Sequence, residues 1–306
     1  MPDSQYRHRI DVCLKREMSA LPPVCCRAHA ASLFRRAVTE GHLMNRLSFL
    51  REEGGLCHWQ FVDDGAPLGK TERSERKRIH SLVISDVHFG SSVCKARPLH
   101  ATLNTFWITE NLIINGDAFQ GSDLKRVSGA QQKVLERIRK LGDPDRHLND
   151  IWVRGNHDED VFELFSAFFG LTVLNEYVWE CGGKRYLAIH GDQWDRFISD
   201  RPGATQVAIW FGELFQRIDP HNRHIIRFLS RSLGHWRREH DRVAMGAARY
   251  GRSKGIDFVM CGHTHGAMRR QLDGIEYLNS GSWTEDPCSF ITVTEEGPCL
   301  NFVQLS

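Results

Sequence analysis

Five short apolar runs, each ending in a polar cluster, dominate the chain from residue 80 onward. In chain order they read HSLVISD, NLIINGD, DIWVRGNHD, RYLAIHGD and DFVMCGHTH. Apolar runs of this length, bounded by glycine or polar residues, are typical of buried strands. The sequence therefore predicts five core strands, each with polar side chains at its C-terminal end.

Helical patterns lie between these runs. Residues 130–141, AQQKVLERIRKL, repeat apolar side chains at helical spacing, and residues 160–169 predict a second helix. Strands that alternate with helices predict an α/β domain. After residue 265 the helices end, and we expect a hairpin around Asp273-Gly274 followed by two strands in SFITVTEEGPCLNFVQLS.

Residues 196–254 interrupt the alternation of strands and helices. They contain 12 Lys and Arg against 5 Asp and Glu, a net charge of +7, with Trp and Phe interleaved. This pattern predicts helical pieces inserted between two core strands. Two interpretations stay open: a lid over the site, or a solvated cap or dimer contact.

The first 78 residues contain no recognisable motif and end in the polar run GKTERSERKR. Such a charge run is typical of a solvated linker. We therefore divide the chain into an N-terminal extension, residues 1–78, and one domain, residues 79–306. The extension is interpreted either as disordered or as the result of a start codon placed too early, with Met44 as one candidate for the true start.

The composition is that of a soluble globular protein, with 41% hydrophobic and 25% charged residues among 306. The chain has no apolar run long enough for a membrane-spanning helix, and its N-terminus does not resemble a secretory signal. Its nine Cys are odd in number and lack zinc-type spacing. We expect reduced thiols in a cytoplasmic protein.

The polar clusters at the five strand ends contain residue types that bind metal ions. They are Asp86-x-His88, Gly116-Asp117, Gly155-Asn156-His157-Asp158, His190-Gly191-Asp192 and Gly262-His263-Thr264-His265. Strand ends are where open α/β sheets build their sites. Carboxylate, imidazole and amide ligands without Cys suit Mn²⁺, Fe²⁺ or Zn²⁺ better than Ca²⁺ or a structural zinc cage. Each cluster alone is explained as a cap, a turn or a buried histidine, but their joint order favours a metal site.

The order D-x-H, G-D, G-N-H-D, H and G-H-T-H resembles the calcineurin-like metallophosphoesterase family over roughly residues 80–305. The resemblance implies a hydrolase of phosphoester bonds. It also implies a four-layer α/β/β/α sandwich with two divalent metal ions between its sheets.

The family's site residues carry over motif by motif. The resemblance implies that Asp86, His88 and His265 bind the first ion, that Asn156, His190 and His263 bind the second, and that Asp117 bridges both. His157 resembles the catalytic histidine, which faces the substrate, and Asp158 would orient its ring. Mn²⁺ is the expected metal, with Fe²⁺ or Zn²⁺ as alternatives.

These residue types match the chemical problem of phosphoester hydrolysis. A phosphate ester is an anion that repels hydroxide, and two cations about 3.5–4 Å apart neutralise its oxygens. The imidazole of His157 can stabilise the transition state or protonate the leaving oxygen.

Within the family, the sequence resembles the UDP-2,3-diacylglucosamine pyrophosphohydrolases of lipid A synthesis and their relatives. Three stretches are similar to that subgroup: SDVHFGSSVCKA, IHGDQWD and DGIEYLNSGSW. The basic and aromatic residues 196–254 stand where the subgroup has a lid. The resemblance implies a nucleotide-linked lipid substrate and peripheral contact with an anionic membrane, at its cytoplasmic face.

Departures from that subgroup keep other substrates open. The lipid A enzymes usually have Arg where His157 stands and an acidic residue near Gln120, so this chain could be a paralogue. Protein Ser/Thr phosphatases share R-G-N-H, but they follow the second motif with Asp-Arg-Gly, which GDAFQG lacks. Phosphodiesterases acting on cyclic nucleotides, nucleic acid or another soluble phosphoester stay open, as does a metal-containing binding scaffold. A nucleic-acid-binding module is disfavoured, although Trp236 to Arg238 form a basic patch.

Overall fold

The computed structural model describes residues 46–63, 76–121, 123–142, 148–158, 162, 173–195 and 235–305. By its contacts the chain divides into two compact units, Met1–Leu43 and Met44–Ser306, and every described residue belongs to the second. Predictions for residues 1–45, almost all of the helix at 160–169 and residues 196–234 lie outside the described residues. None of the described helices has the length and apolar character that a membrane crossing needs.

The larger of two sheets has eight strands. They are β1 Arg46–Glu53, β2 Leu56–Val62, β3 Lys77–Ile84, β4 Phe106–Asn115, β5 Asn149–Val153, β6 Val173–Leu174, β12 Cys288–Thr294 and β13 Gly297–Leu305, in the spatial order β1-β2-β13-β12-β3-β4-β5-β6. Strands β3 to β6 are parallel, so their C-terminal ends share one edge. The first three predicted strands are thus confirmed as β3, β4 and β5.

The smaller sheet has five strands. They are β7 Glu176–Cys181, β8 Lys184–Ile189, β9 Phe258–Cys261, β10 Met268–Leu272 and β11 Ile275–Asn279, in the order β10-β11-β9-β8-β7. Strands β8, β9 and β11 are parallel, while β10 and β11 form the predicted hairpin, in which Leu272 pairs with Ile275. The remaining two predicted core strands are β8 and β9.

Three described helices cover the outer faces of the sheets: α1 Ala96–Thr105, α2 Gly129–Leu141 and α3 His235–Ser253. One apolar cluster joins α1 and α2 to the larger sheet, a second lies between the sheets, and a third joins the smaller sheet to α3. On β3, Ile84 packs in the first cluster and its neighbour Val83 in the second, because successive side chains of a strand point to opposite faces of the sheet. The predicted four-layer α/β/β/α sandwich is confirmed.

Helix α2 confirms the helix predicted over residues 130–141. Ser128 and Gln131 form a capping box at its start. The Gln131 side chain also accepts from Gly90 N (3.1 Å) and donates to Ser91 O (2.8 Å), so the helix start is fastened to the loop after His88.

The boundary predicted at residue 79 requires correction, because the extension assigned to residues 1–78 contains two strands of the larger sheet. Strand β2 pairs in parallel with β13, with Cys57 opposite Asn301. Its residues Cys57, Trp59 and Phe61 alternate with less buried neighbours, as a half-buried strand should.

The insert predicted over residues 196–254 also requires correction at its C-terminal end. Helix α3 buries Val243, Ala244, Ala247 and Ala248 against the smaller sheet. It is therefore the fourth layer of the sandwich, and only residues 196–234 remain as a candidate lid.

The structure pairs Cys57 with Cys299 in a disulfide between β2 and β13. Cys94, Cys181, Cys261 and Cys288 are free thiols. The structure thus differs from the expectation of reduced thiols at one pair of Cys.

Candidate metal centre

The first two motifs continue side by side beyond the ends of β3 and β4. Backbone hydrogen bonds run from Asp86 N to Gly116 O (3.1 Å), from His88 N to Asp117 O (3.0 Å) and from Phe89 N to Ala118 O (2.7 Å). Because these three hydrogen bonds join the two segments, the candidate ligands Asp86, His88 and Asp117 have a fixed mutual register.

Most of the predicted ligands have a left-handed backbone, which non-glycine residues rarely adopt. The φ angles are 50° for Asp86, 52° for His88, 50° for Asp117, 66° for His263 and 56° for His265. Such conformations cost on the order of 1–3 kcal/mol each and gather at functional sites. Among the described residues, the sixth non-glycine case is Asp273, in the hairpin turn.

Asp86, His88 and His265 form a first group of metal-ligand geometry. His265 Nε2 lies 3.1 Å from Asp86 Oδ1 and 3.3 Å from His88 Nε2. Burial lowers the pKa of His88 to about 4, so its ring is neutral near pH 7. A metal ligand must be deprotonated in this way.

Asp117, His190 and His263 form the second group, with Asn156 beside them. His190 Nε2 lies 3.3 Å from Asp117 Oδ1, and His263 Nδ1 lies 3.1 Å from Asn156 Oδ1. The other ring nitrogen of His190, Nδ1, lies 3.0 Å from the carbonyl of Asn115. Donation to that carbonyl leaves the lone pair of Nε2 for the site.

Asp117 faces both groups. While its Oδ1 lies near His190, its Oδ2 lies 4.0 Å from His88 Nε2 and 4.0 Å from His157 Nε2. One buried carboxylate therefore stands between two sets of ligands, as a bridging residue would.

His157 stands at the mouth of the site. Its backbone N–H donates to Asp117 Oδ1 (3.0 Å), and its side chain is 23% exposed. Its ring lies 5.3 Å from that of His88 and belongs to neither ligand group. This position suits a group that meets the substrate.

A comparison of the sequence with models of known protein families agrees with this set of ligands. A family model described as Calcineurin-like phosphoesterase matches residues 79–267, more than half of the chain. The chain belongs to the calcineurin-like phosphoesterase family. It is accordingly a metal-dependent hydrolase of phosphoester bonds.

Solved structures with distant similarity include a single mutant of Vps29 from Entamoeba histolytica, at 19% identity and a TM-score of 0.39, covering 74% of this chain and 99% of that one. A predicted phosphoesterase from Streptococcus pneumoniae is 15% identical, with a TM-score of 0.33, and covers 73% and 97%. Yfce, a phosphoesterase from E. coli, is 15% identical, with a TM-score of 0.36, and covers 70% and 87%. Such distant likenesses carry no information about the substrate. Among curated proteins, none matches the chain.

The ligand set of this calcineurin-like phosphoesterase fits two divalent cations. Asp86 Oδ1 and His190 Nε2 are buried without a well-formed hydrogen bond, and their nearest described partners, His265 Nε2 and Asp117 Oδ1, are themselves candidate ligands. Leaving such atoms unsatisfied is costly, and a cation would satisfy both. Burial opposes a charge on His190, yet Asp117 and Asp86 raise its pKa to about 10, which shows how strongly these carboxylates favour positive charge here.

Asp158, predicted to orient the His157 ring, makes its side-chain hydrogen bonds to backbone amides. Its carboxylate accepts from the backbone amides of Phe119 (2.9 Å), Ala118 (3.2 Å) and Gly155 (3.2 Å). It therefore joins the loop after β4 to the loop after β5, and its hydrogen bonds do not reach the His157 ring. Burial and the neighbouring Asp117 raise its pKa to about 7.

Two glycines allow the ligands to approach the backbone closely, as their place in the motifs predicts. A Cβ on Gly262 would collide with the Asp86 carboxylate, and one on Gly155 would collide with Asp117. Only glycine fits at these two positions without displacing a candidate ligand.

Two residues of the site were missed by the sequence analysis. Asn115 donates from Nδ2 to Ile189 O (3.3 Å) and Met260 O (3.1 Å), and so ties the larger sheet to the smaller one beside the ligands. Asp195 places Oδ2 2.9 Å from His263 Nε2. The signal for Asp195 was the second acidic residue of IHGDQWD, which was used only for the resemblance.

Proposed function

We propose that this phosphoesterase uses two divalent metal ions to hydrolyse the diphosphate or phosphoester bond of a nucleotide-linked lipid, UDP-2,3-diacylglucosamine or a similar molecule. The observation that supports the hydrolase is the pair of ligand groups that share Asp117. Asp86, His88 and His265 would hold one ion, and Asn156, His190 and His263 the other. Mn²⁺ is the proposed metal, because the ligands are carboxylate, imidazole and amide.

When bound, the two ions supply positive charge to the phosphoryl oxygens and act as Lewis acids. The chain's own residues then position the two ligand groups and protonate the leaving oxygen. Asp117 holds the two ligand groups at a fixed separation, since its two oxygens face different groups. His157, at the mouth of the site, donates a hydrogen bond or a proton to the leaving oxygen, which is typically worth roughly 10²–10⁴-fold in rate.

The choice of a nucleotide-linked lipid is supported by the sequence around the site. Residues 196–234 interleave basic and aromatic side chains, and Arg238, Arg249 and Arg252 of α3 are exposed. Basic residues beside aromatic ones suit an anionic head group with acyl chains. We therefore propose peripheral contact with an anionic membrane, at its cytoplasmic face.

A hydrolysis screen with Mn²⁺ tests this proposal. Its substrates are UDP-2,3-diacylglucosamine, other nucleotide diphosphates, cyclic nucleotides and a nitrophenyl diester, and metal-stripped protein is the control. We expect kcat/KM to be at least about 10²-fold higher for the lipid nucleotide than for cyclic nucleotides, since a lid contributes binding energy only to a lipid. A preference for cyclic nucleotides would contradict the proposed substrate, and no metal-dependent hydrolysis of any of them would contradict the enzyme.

A further inference from the structure

The loop of residues 262–266, here called the paired-histidine loop, carries His263 and His265. A side chain from outside the predicted ligand set reaches it. Asp195 Oδ2 lies 2.9 Å from His263 Nε2, and the two side chains are only 15% and 8% exposed. The opposite ring nitrogen, Nδ1, faces Asn156 Oδ1 at 3.1 Å and the second ligand group. The two nitrogens of His263 therefore have different partners.

A neutral imidazole carries its proton on one nitrogen and a lone pair on the other. Asn156 Oδ1 and Asp195 Oδ2 can both only accept, but the ionised carboxylate is the stronger acceptor, so Asp195 favours the form of His263 with the proton on Nε2. The lone pair then lies on Nδ1, the nitrogen that faces the second group. Carboxylates of this kind fix the ring orientation of metal-binding histidines and raise their basicity.

The backbone of the paired-histidine loop is held independently of Asp195. Asn279 Nδ2 donates to Gly262 O (2.6 Å) and to Thr264 Oγ1 (3.1 Å). On another side, the buried ring of His240 packs so closely on Gly266 that a Cβ there would collide with it, and its Nδ1 lies 3.3 Å from Thr264 Oγ1. Because these contacts fix the loop, loss of Asp195 should release the ring of His263 and leave the backbone in place.

We propose that Asp195 is a positioning residue for the second metal ion: it accepts from His263 Nε2 and so directs Nδ1 towards that ion. The inference rests on the proposed function, since it assumes that His263 binds a metal. It predicts an unequal effect of one substitution on two neighbouring ions. The first ion, on Asp86, His88 and His265, shares no side chain with the Asp195–His263 pair.

The test is calorimetric titration of the metal-free, full-length protein with Mn²⁺. For Asp195→Ala we expect the second ion to bind about 10–100-fold more weakly, the range for lost partners of metal ligands, with the first ion within about threefold. Asp195→Asn, which keeps the shape and loses the charge, should give a smaller change of the same kind. Asp241→Asn is the control, because this exposed carboxylate pairs with Arg270 on the outside of α3 and should change neither affinity.

Activity and spectroscopy give separate readouts. In Asp195→Ala, kcat at low Mn²⁺ should fall and return towards the wild-type value as Mn²⁺ is raised, while KM changes by less than about threefold. Nitrogen NMR of the histidine-labelled, metal-free protein should show His263 protonated on Nε2 in the wild type and a mixture in Asp195→Ala, with His263→Gln identifying the signal.

Wild-type affinity for both ions in both Asp195 variants would overturn the inference, and so would equal weakening of both ions. His263→Ala separates this failure from that of the proposed function. If His263→Ala loses the second ion while the Asp195 variants keep it, only the positioning role is wrong. If His263→Ala also keeps it, the assignment of the ligands is itself wrong.

Discussion

At the scale of single residues, His157 allows the chemical step to be tested separately from metal binding. Its ring stands at the mouth of the site, outside both ligand groups. We expect His157→Ala to retain two ions per chain and to lose roughly 10²–10⁴-fold in kcat, the range for a positioned acid or base. Metal analysis and steady-state kinetics on the same sample check this. An unchanged kcat would mean that His157 is only a turn residue.

Replacing His157 by Arg is a sharper variant, because it recreates the motif of the lipid A enzymes. Activity retained on UDP-2,3-diacylglucosamine by His157→Arg would support that substrate. Activity lost on the lipid but retained on the nitrophenyl diester would count against it.

His100 of α1 provides a residue-scale prediction away from the site. Burial, with Arg137 and Lys133 nearby, lowers its pKa to about 4 from an ordinary value of 6.5. Asn104 Nδ2 lies 3.1 Å from its Nδ1, which suits a neutral ring. Between pH 6.5 and 4 the unfolded chain binds a proton at His100 that the folded chain does not. The free energy of unfolding therefore falls as the pH falls through this range.

The measurement is urea unfolding of the wild type and of His100→Gln, which keeps a hydrogen-bonding side chain. The wild type should lose more unfolding free energy between pH 7.5 and pH 5 than the variant does. An identical loss in both proteins would show that His100 does not contribute to the acid sensitivity.

At the scale of elements, Asp158 joins two loops. Its carboxylate accepts three backbone N–H groups, which Asp158→Ala would leave unsatisfied at a cost of about 1–3 kcal/mol each. We therefore expect a large fall in thermal stability together with weaker metal binding. If Asp158 instead oriented His157, the same variant would keep its stability and lose only kcat, and thermal melts beside kinetics distinguish these outcomes.

The elements also show what the sequence could predict. The five core strands, α2, the hairpin and the polar clusters at the strand ends follow from local patterns, because apolar runs are local. The resemblance to the family then selected the seven candidate ligands among those clusters. Strands β1 and β2 could not be predicted from local patterns, since β2 is stabilised by pairing with β13. The paired residues Gln60 and Gln304 are 244 positions apart in sequence. The contacts of Asp158 and Asp195 join loops far apart in sequence, which spacing does not reveal.

At the scale of the whole molecule, the described residues complete the four layers of the sandwich, and residues 196–234 lie outside them. Helix α3 is required by the core, so a lid can include only residues 196–234. Lids bind and enclose substrate without entering the chemical step. We expect a Gly-Ser linker in place of residues 196–234 to leave hydrolysis of a small nitrophenyl diester within about tenfold.

The same replacement should sharply weaken hydrolysis of a diacylated nucleotide sugar and binding to anionic vesicles. Equal losses on both substrates would mean that residues 196–234 support the fold. No loss on the lipid would remove the main reason for preferring a lipid-linked nucleotide.

One carboxylate, Asp117, is proposed to join two metal ions into one site. The most direct test is the metal content of purified Asp117→Ala, measured by plasma mass spectrometry beside the wild type and Asp241→Asn, with Asp117→Asn in reserve if the alanine variant does not fold. The wild type and Asp241→Asn should each hold two ions per chain after incubation with Mn²⁺ and removal of the excess. Asp117→Ala should lose both ions and nearly all turnover, because both ligand groups share this side chain. Two ions per chain with normal turnover in Asp117→Ala would contradict the dinuclear site.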